Sequence, residues 1–153
     1  KQTKKNQIYT NLIYIKLPLM IKNIDHIAIA VKNIAEAAPL FEKILGREIY
    51  KKEMVASEGV YTHFLLVGET KIELLESTTE DGVIRKYIEK KGEGIHHIAF
   101  DVEDIYAEMN RLKSEGFILL NEQPKTGADN KLVCFLHPKS TNSILVELCQ
   151  ERK

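Results

Sequence analysis

The sequence predicts an α+β fold in which two tandem βαβββ modules form one curved, partly closed mixed sheet around a central cleft. The segment Ile24–Ile34 recurs as Ile95–Ile105 with six of eleven positions identical, which indicates two similar half-domains. In each half, a strand-like run is followed by one helix-like run and three further strand-like runs. Neither half has enough strands to cover its own sheet faces, so we expect the halves to share one core.

The first module begins with an alternating, β-branched stretch at 24–31, which is typical of a strand. Asn33 then stands at the N-cap of a helix that runs to about Leu45, with Glu36 placed as in a capping box. Pro39 removes a helical N–H donor well past the first turn, so we expect a kink or a late start. Three strands follow at 47–54, 59–67 and 70–76, the last two joined by a tight turn at Gly68-Glu69.

The second module repeats this order after a charged, helix-like segment from Thr78 to Lys91 and a linker at Gly92-Glu93-Gly94. Its predicted elements are a strand at 95–102, a helix from Asp104 to Glu115, and strands near 117–121, 131–136 and 144–149.

The chain has 153 residues, of which 44% are hydrophobic, enough for one compact domain with a core. We assign that domain to residues 20–150, with modules at about 20–91 and 95–150. Residues 1–19 contain no acid and no arginine, and Asn11 and Lys16 interrupt their apolar run. This pattern does not fit a signal peptide, a membrane span or a mitochondrial presequence. We expect a non-native or disordered extension before Met20; an extra strand at 11–17 is the alternative.

The charge balance excludes some classes of partner. Lys and Arg total 22, and Asp and Glu also total 22, so no basic surplus is present to neutralise the phosphates of a nucleic acid. Cys134 and Cys149 both lie in apolar, strand-like runs. Buried reduced thiols are the favoured interpretation and predict a cytoplasmic protein, with one disulfide as the alternative.

The repeated strands each carry a histidine on a face of small residues. Side chains two apart share a face, so His26 points the same way as Ala28, and His97 the same way as Ala99. The opposite, aliphatic faces are typical of those that helices cover. By the same alternation, His96 is expected to face away from His97.

The last strand of each module adds a carboxylate, Glu73 in the first and Glu147 in the second. A carboxylate among aliphatic neighbours costs several kcal/mol when it is buried without a partner, so a positive group is expected to face it. Together with His26 and His97, these residues suit a divalent ion such as Mn, Co, Ni, Fe or Zn. A strand histidine is more often a core residue and a strand glutamate more often a surface residue. The correspondence across the repeat favours the metal site.

The remaining histidines have plainer interpretations. His63 is typical of a strand surface, and His137-Pro138-Lys139-Ser140 is typical of a turn. The alternative for that turn is contact with an anionic ligand through Lys139 and the Ser140 hydroxyl.

With these residues assembled, the chain resembles the vicinal oxygen chelate (glyoxalase/bleomycin resistance/dioxygenase) superfamily and, within it, the methylmalonyl-CoA epimerases, over residues 20–150. The motifs that carry the resemblance are Ile24-Asp25-His26-Ile27-Ala28-Ile29-Ala30-Val31, Lys71-Ile72-Glu73-Leu74-Leu75-Glu76, Gly92-Glu93-Gly94-Ile95-His96-His97-Ile98-Ala99-Phe100, Phe135-Leu136-His137-Pro138-Lys139-Ser140 and Ile144-Leu145-Val146-Glu147-Leu148.

The resemblance implies a divalent metal (Co, Mn, Ni or Zn) held by His26, Glu73, His97 and Glu147, with Glu73 where some members have glutamine. It implies interconversion of the (R) and (S) forms of methylmalonyl-CoA by α-proton transfer through a metal-stabilised enolate, with Glu147 as one acid–base group. It also implies an acyl-CoA partner and a homodimer.

The group that serves the opposite face of the substrate stays open. Thr62 stands where some family members carry a glutamate, and the alternatives are Glu58 or a bound water.

Two other functions remain in competition. A glyoxalase I-like lyase shares the fold and the ligand set, although it usually carries Asp-Pro-Asp-Gly where this chain has the His137–Ser140 turn. A non-enzymatic small-molecule binding protein is the other alternative, but such proteins often lack one or more of the four ligands.

Overall fold

The computed structural model describes residues 21–152, so the predictions for residues 1–19 and for a strand at 11–17 lie outside the described residues. Within that range eight strands are formed: β1 (Ile21–Ala30), β2 (Lys51–Val55), β3 (Val60–Val67), β4 (Thr70–Ser77), β5 (Gly94–Val102), β6 (Lys125–Thr126), β7 (Lys131–Leu136) and β8 (Val146–Glu151). The helices are α1 (Ile34–Leu45), α2 (Val83–Lys91) and α3 (Ile105–Ser114).

The strands form one mixed sheet in the order β2-β3-β4-β1-β5-β8-β7-β6. The first strands of the two modules, β1 and β5, pair antiparallel at the centre. Each also pairs in parallel with the last strand of its own module, β1 with β4 and β5 with β8. The two halves of the sheet therefore repeat one topology, which confirms the predicted pair of modules.

The sheet curls so far that ion pairs link its two ends. Lys51 on β2 lies 2.8 Å from Asp129, which follows β6. Lys125 on β6 lies 2.6 Å from Glu58 in the turn between β2 and β3. These contacts join the first and last strands of the sheet order and leave a cleft inside the curve, as the sequence predicts.

Strand residues near the ends of both modules support the helices that follow the repeated strands. The Ile34 N–H of α1 donates to Glu76 Oε2 at 2.7 Å, and the Ile105 N–H of α3 donates to Gln150 Oε1 at 2.8 Å. Each contact satisfies one of the N-terminal amides that an α-helix leaves unpaired. Because Glu76 and Gln150 each lie three residues past the site glutamate of their module, the same contact ties both helices to the strands that carry the site.

The helices cover the aliphatic sheet faces, as predicted. Ile29 and Val31 pack with Leu65 and Leu74 in the cluster that includes the buried face of α1. In the second module, Val102 packs with the buried face of α3. The faces that carry His26 and His97 are thereby left toward the cleft.

Helix α1 begins at Ile34, as the Asn33 cap predicts, and the late start considered for Pro39 is wrong. Asn33 Oδ1 accepts from the Ala35 N–H at 2.9 Å, whereas Glu36 binds the Asn33 side-chain amide rather than its backbone N–H. Pro39 and Ala35 both lie on the exposed side of the helix. The Ala35 carbonyl that Pro39 cannot donate to therefore faces water, which makes the proline tolerable there.

Several predicted boundaries are wrong. The helix expected from Thr78 begins at Val83, because residues 78–82 form a turn in which Gly82 N–H donates to the Thr79 carbonyl. The strands expected at 47–54 and 144–149 are observed at 51–55 and 146–151. The strand expected at 117–121 contributes a single bridge, Leu119 to Leu136, and the short β6 was not predicted.

Two further predictions concern cysteines and the membrane. Cys134 and Cys149 are both buried and free, which confirms the reduced thiols and excludes the disulfide between them. No helix within residues 21–152 has the length and apolar character that crossing a bilayer requires.

Candidate metal centre and active site

The structure brings the four residues predicted as metal ligands together at the base of the cleft. His26 Nε2 lies 3.1 Å from His97 Nε2 and 3.3 Å from Glu73 Oε2. Glu147 Oε2 lies 3.0 Å from His97 Nε2 and 3.9 Å from His26 Nε2. All four side chains are buried. His26, His97 and Glu147 have donor atoms within 4.8 Å of one another, and Glu73 joins this group through His26. Two imidazoles and two carboxylates form a donor set suited to a divalent cation.

A β-bulge precedes each of the two histidines. Between Ile24 and His26, β1 advances two residues while β5 advances one, so Asp25 is the extra residue. Between His97 and Ile95, β5 advances two residues while β1 advances one, and His96 is the extra residue. Because a bulge re-aims the side chain of its extra residue, both residues turn toward the neighbouring histidine.

The prediction that His96 faces away from His97 is therefore wrong. The two Nδ1 atoms lie 2.8 Å apart, which alternation along a regular strand does not allow. Burial lowers the pKa of His96 to about 4, so His96 is neutral and its Nδ1 accepts from the His97 Nδ1–H. This contact leaves His97 Nε2 as the ring nitrogen that faces the other ligands.

Asp25 holds His26 in the equivalent way. Asp25 Oδ2 lies 2.8 Å from His26 Nδ1 and accepts its proton, which leaves Nε2 as the ring nitrogen that faces the cluster. Lys71 Nζ lies 3.2 Å from the same carboxylate, and Lys131 donates to its other oxygen. Residue 131 belongs to the second module, so this buried ion-pair group joins both modules behind the ligand cluster.

Sequence reasoning missed Asp25, Lys71 and Lys131 as parts of the site. A signal for Asp25 was available, because Asp25 and His96 occupy the same position of the repeat, directly before each ligand histidine. No local pattern points to Lys131, whose partner is 106 residues away.

The electric field of the cluster favours a cation. Burial lowers the pKa of His26, but the carboxylates of Glu73 and Asp25 outweigh that effect and raise it to about 9. The same negative charge that stabilises a proton on His26 stabilises a divalent ion, which would compete with that proton. The residues present therefore fit a divalent metal.

The two site carboxylates have different acidities. Burial raises the pKa of Glu73 above its usual value. Burial also acts to raise the pKa of Glu147, but the hydrogen bond with His97 and the charge of His26 outweigh it and hold the pKa below its usual value. Of the two, Glu147 is the carboxylate kept ionised, as a proton acceptor at neutral pH must be.

The cavity above the cluster has largely apolar walls with a few polar groups. Phe64 and Phe135 flank the ligand residues, and the fully buried Thr62 lies on the same wall. The Glu58–Lys125 pair also lines the cavity. This composition is typical of a small-molecule site, in which apolar walls enclose a few polar groups that orient the ligand.

The other histidines do not reach the cluster. His63 alternates with Thr62 on β3 and shares its face with Leu65, which packs under α1. His137 Nδ1 accepts from the Lys139 N–H at 3.0 Å, and the Ser140 hydroxyl donates to the His137 carbonyl. The turn interpretation of this segment is thereby supported, because its polar groups are used within the turn.

A second group of potential ligands, Asp25, His26 and Cys149, is less suited to a metal ion, although its donor atoms lie within 4.8 Å of one another. Lys71 and Lys131 already neutralise the Asp25 carboxylate. Burial raises the pKa of the Cys149 thiol, which opposes formation of the thiolate that a metal requires.

Replacing Asp25 by asparagine is expected to weaken divalent-metal binding by about 10–100-fold, because the amide no longer fixes the His26 tautomer. The variant should also lose on the order of 3–5 kcal/mol of unfolding free energy, since Lys131 stays buried without its counter-charge, whereas Lys71 keeps Asp129. Metal affinity by calorimetry and thermal unfolding in excess chelator separate the two effects.

Asp101→Asn provides the matched control, because Asp101 lies on β5 and pairs with Lys22 at 2.8 Å near the surface. It should cost less than about 1 kcal/mol and leave metal affinity unchanged. Unaltered metal affinity in Asp25→Asn would show that Asp25 does not orient His26.

Comparison with known proteins places the chain in a family. A family model described as the Glyoxalase/Bleomycin resistance protein/Dioxygenase superfamily matches residues 25–135. An ethylmalonyl-CoA/methylmalonyl-CoA epimerase of Cereibacter sphaeroides is 43% identical over 133 residues, which cover 86% of this chain and 99% of that protein.

Solved structures agree with this match. The methylmalonyl-CoA epimerase of Mycobacterium tuberculosis superposes with a TM-score of 0.83 at 30% identity, covering 88% of this chain and 91% of that one. A methylmalonyl-CoA epimerase in complex with methylmalonyl-CoA and NH4+ superposes with a TM-score of 0.82 at 31% identity, covering 86% of this chain and 95% of that one. Both the predicted fold and the resemblance are thus confirmed, and the chain belongs to the methylmalonyl-CoA epimerase family of the glyoxalase, bleomycin resistance protein and dioxygenase superfamily.

Proposed function

We propose that this protein is a metal-dependent epimerase that interconverts the (R) and (S) forms of methylmalonyl-CoA by transfer of the α-proton. The observation that carries the proposal is the convergence of two buried imidazoles and two buried carboxylates in the cavity. The relatives named as methylmalonyl-CoA epimerases supply the substrate class.

In this proposal His26, Glu73, His97 and Glu147 hold a divalent ion such as Co, Mn, Ni or Zn. When bound, the ion supplies Lewis-acid stabilisation of the negative charge that develops on the acyl oxygens as the α-proton leaves. Asp25 and His96 orient the two imidazoles through their Nδ1 atoms.

Glu147 is the proposed acid–base group on one face of the α-carbon. Its lowered pKa keeps it ionised, and its 3.0 Å contact with His97 fixes its position. The group for the other face stays open between Glu58 and a bound water. Glu58 lines the cavity, but its carboxylate is engaged by Lys125 at 2.6 Å.

The apolar cavity walls would surround the acyl group, with the coenzyme A portion leading outward. We further propose a homodimer in the cytoplasm, in line with the sequence-based expectation. The glyoxalase I-like lyase gains no support, since the named relatives above are epimerases, and that kinship also weighs against a non-enzymatic binding protein.

The proposed reaction is tested by deuterium wash-in at the α-carbon of methylmalonyl-CoA in D2O, followed by NMR. Metal-loaded protein should exchange the α-proton and interconvert the epimers, a chelator should stop both, and added metal should restore them. Absence of exchange in metal-loaded protein would refute the proposal. Activity only on a hemithioacetal would establish the lyase instead.

A further inference from the structure

Thr62 carries a hydroxyl whose burial has no structural explanation. The side chain lies on β3 with 0% of its surface exposed, and Oγ1 has no hydrogen-bond partner among residues 21–152. Buried hydroxyls in proteins are nearly always bonded, because leaving one unpaired costs free energy. The other buried polar atom in this condition, His63 Nδ1, lies on the face toward α1.

Thr62 lines the cavity, beside the ligand cluster. Thr62 pairs with Leu75 of β4, and the next cleft-facing pair along these strands is Phe64 with Glu73. Thr62 and Glu73 are therefore diagonal neighbours on one face of the sheet. The hydroxyl is held one strand away from a proposed metal ligand.

The lysines of the cavity wall already have partners of opposite charge. Lys131 is paired with Asp25, Lys71 with Asp25 and Asp129, and Lys125 with Glu58. Among the cavity-lining residues of the described chain, Thr62 thus combines complete burial with an unused donor.

We infer that the Thr62 hydroxyl donates a hydrogen bond to an acyl-group oxygen of the bound substrate. This inference rests on the proposed function, because the substrate class supplies the acceptor. A malonyl-type thioester has three acyl oxygens, one on the thioester and two on the carboxylate. A metal held by the ligand cluster would supply positive charge to the acyl oxygens next to it, and a carboxylate oxygen left outside its reach would need a donor in a largely apolar wall.

Threonine suits this role because it is β-branched. Two heavy atoms on Cβ restrict its χ1 angle, so the hydroxyl is held in position before the substrate arrives. A preorganised donor loses little conformational entropy on binding. Thr62 is therefore a substrate-contacting group for binding and orientation; a hydroxyl with an alcohol's acidity does not serve as the missing acid–base group.

The test separates binding from folding with two variants. Thr62→Val keeps the shape and removes the hydroxyl, so kcat/KM for methylmalonyl-CoA should fall about tenfold or more. The Tm should stay equal or rise, since an unpaired buried hydroxyl is replaced by a methyl group in a strand. Thr62→Ser keeps the donor and should retain kcat/KM within a few-fold of the wild type. Calorimetric affinity for methylmalonyl-CoA should follow the same order.

Thr126→Val on the exposed strand β6 is the control and should alter neither quantity. Unchanged kcat/KM and affinity in Thr62→Val would overturn the inference. A lowered Tm with a proportionate loss of folded enzyme would also overturn it, because that result assigns the hydroxyl a structural bond. Failure of the proposed function gives a different result: metal-loaded wild-type protein would then neither exchange the α-proton nor bind the substrate. Failure of the Thr62 inference alone leaves the wild type active and Thr62→Val equal to it in kcat/KM and affinity.

Discussion

Replacement of Glu147 by glutamine is expected to lower the rate of epimerisation by about 10²–10⁴-fold. An amide presents an oxygen to the ligand cluster but does not accept a proton. Because each face of the α-carbon requires its own acid–base group, exchange of the α-proton should persist from one epimer and be lost from the other. Deuterium wash-in from each pure epimer measures both rates directly.

Glu151→Gln, on the same strand but exposed, is the matched control and should leave both rates unchanged. Undiminished epimerisation in Glu147→Gln would rule out the proton-transfer role. Equal loss of exchange from both epimers, together with loss of metal, would show that Glu147 acts as a ligand alone.

Removal of an imidazole should produce the second large effect. His97→Ala is expected to weaken divalent-metal binding by more than about 100-fold, since direct ligands matter more than the outer partners whose loss costs 10–100-fold. Exchange should then vanish from both epimers at once, unlike in Glu147→Gln. Metal analysis of dialysed protein and competition with a chromophoric chelator measure the affinity.

His137→Ala is the control, because His137 caps a turn away from the cluster. It should retain metal and exchange. His97→Gln, which returns a neutral donor atom, guards against a folding defect and should recover part of the affinity. Full metal content in His97→Ala would contradict the four-ligand site.

Strand and helix identities were predictable where local pattern and packing agree. β3, β4, β7 and α1 follow the predicted ranges closely, because alternation, turn glycines and the Asn33 cap all indicate the same structure. The prediction for 117–121 was wrong because strand formation needs a partner edge, and that segment reaches β7 at one bridge only. The lack of a pairing partner, and not the apolar pattern of the segment, thus decided that residues 117–121 form no strand.

The orientation of His96 shows the limit of reasoning from alternation. Period-two alternation predicts the face of every residue in a regular strand, but a bulge adds one residue and shifts the pattern. The bulges at Asp25 and His96 depend on how β1 and β5 pair, and the two strands lie about seventy residues apart in the chain. No local signal in either strand reveals the offset.

The sequence by itself determined the paired modules, the family and the candidates His26, Glu73, His97 and Glu147, because a repeat places matching side chains at matching positions of matching strands. The tertiary structure decided which groups surround them: Asp25 and His96 behind the imidazoles, and the unpaired Thr62 hydroxyl on the cavity wall. Those contacts come from bulges and from residues far apart in the chain. The burial and the hydrogen-bond partners of these side chains are established only when the sheet has curled. The sequence pattern of a single strand therefore does not predict them.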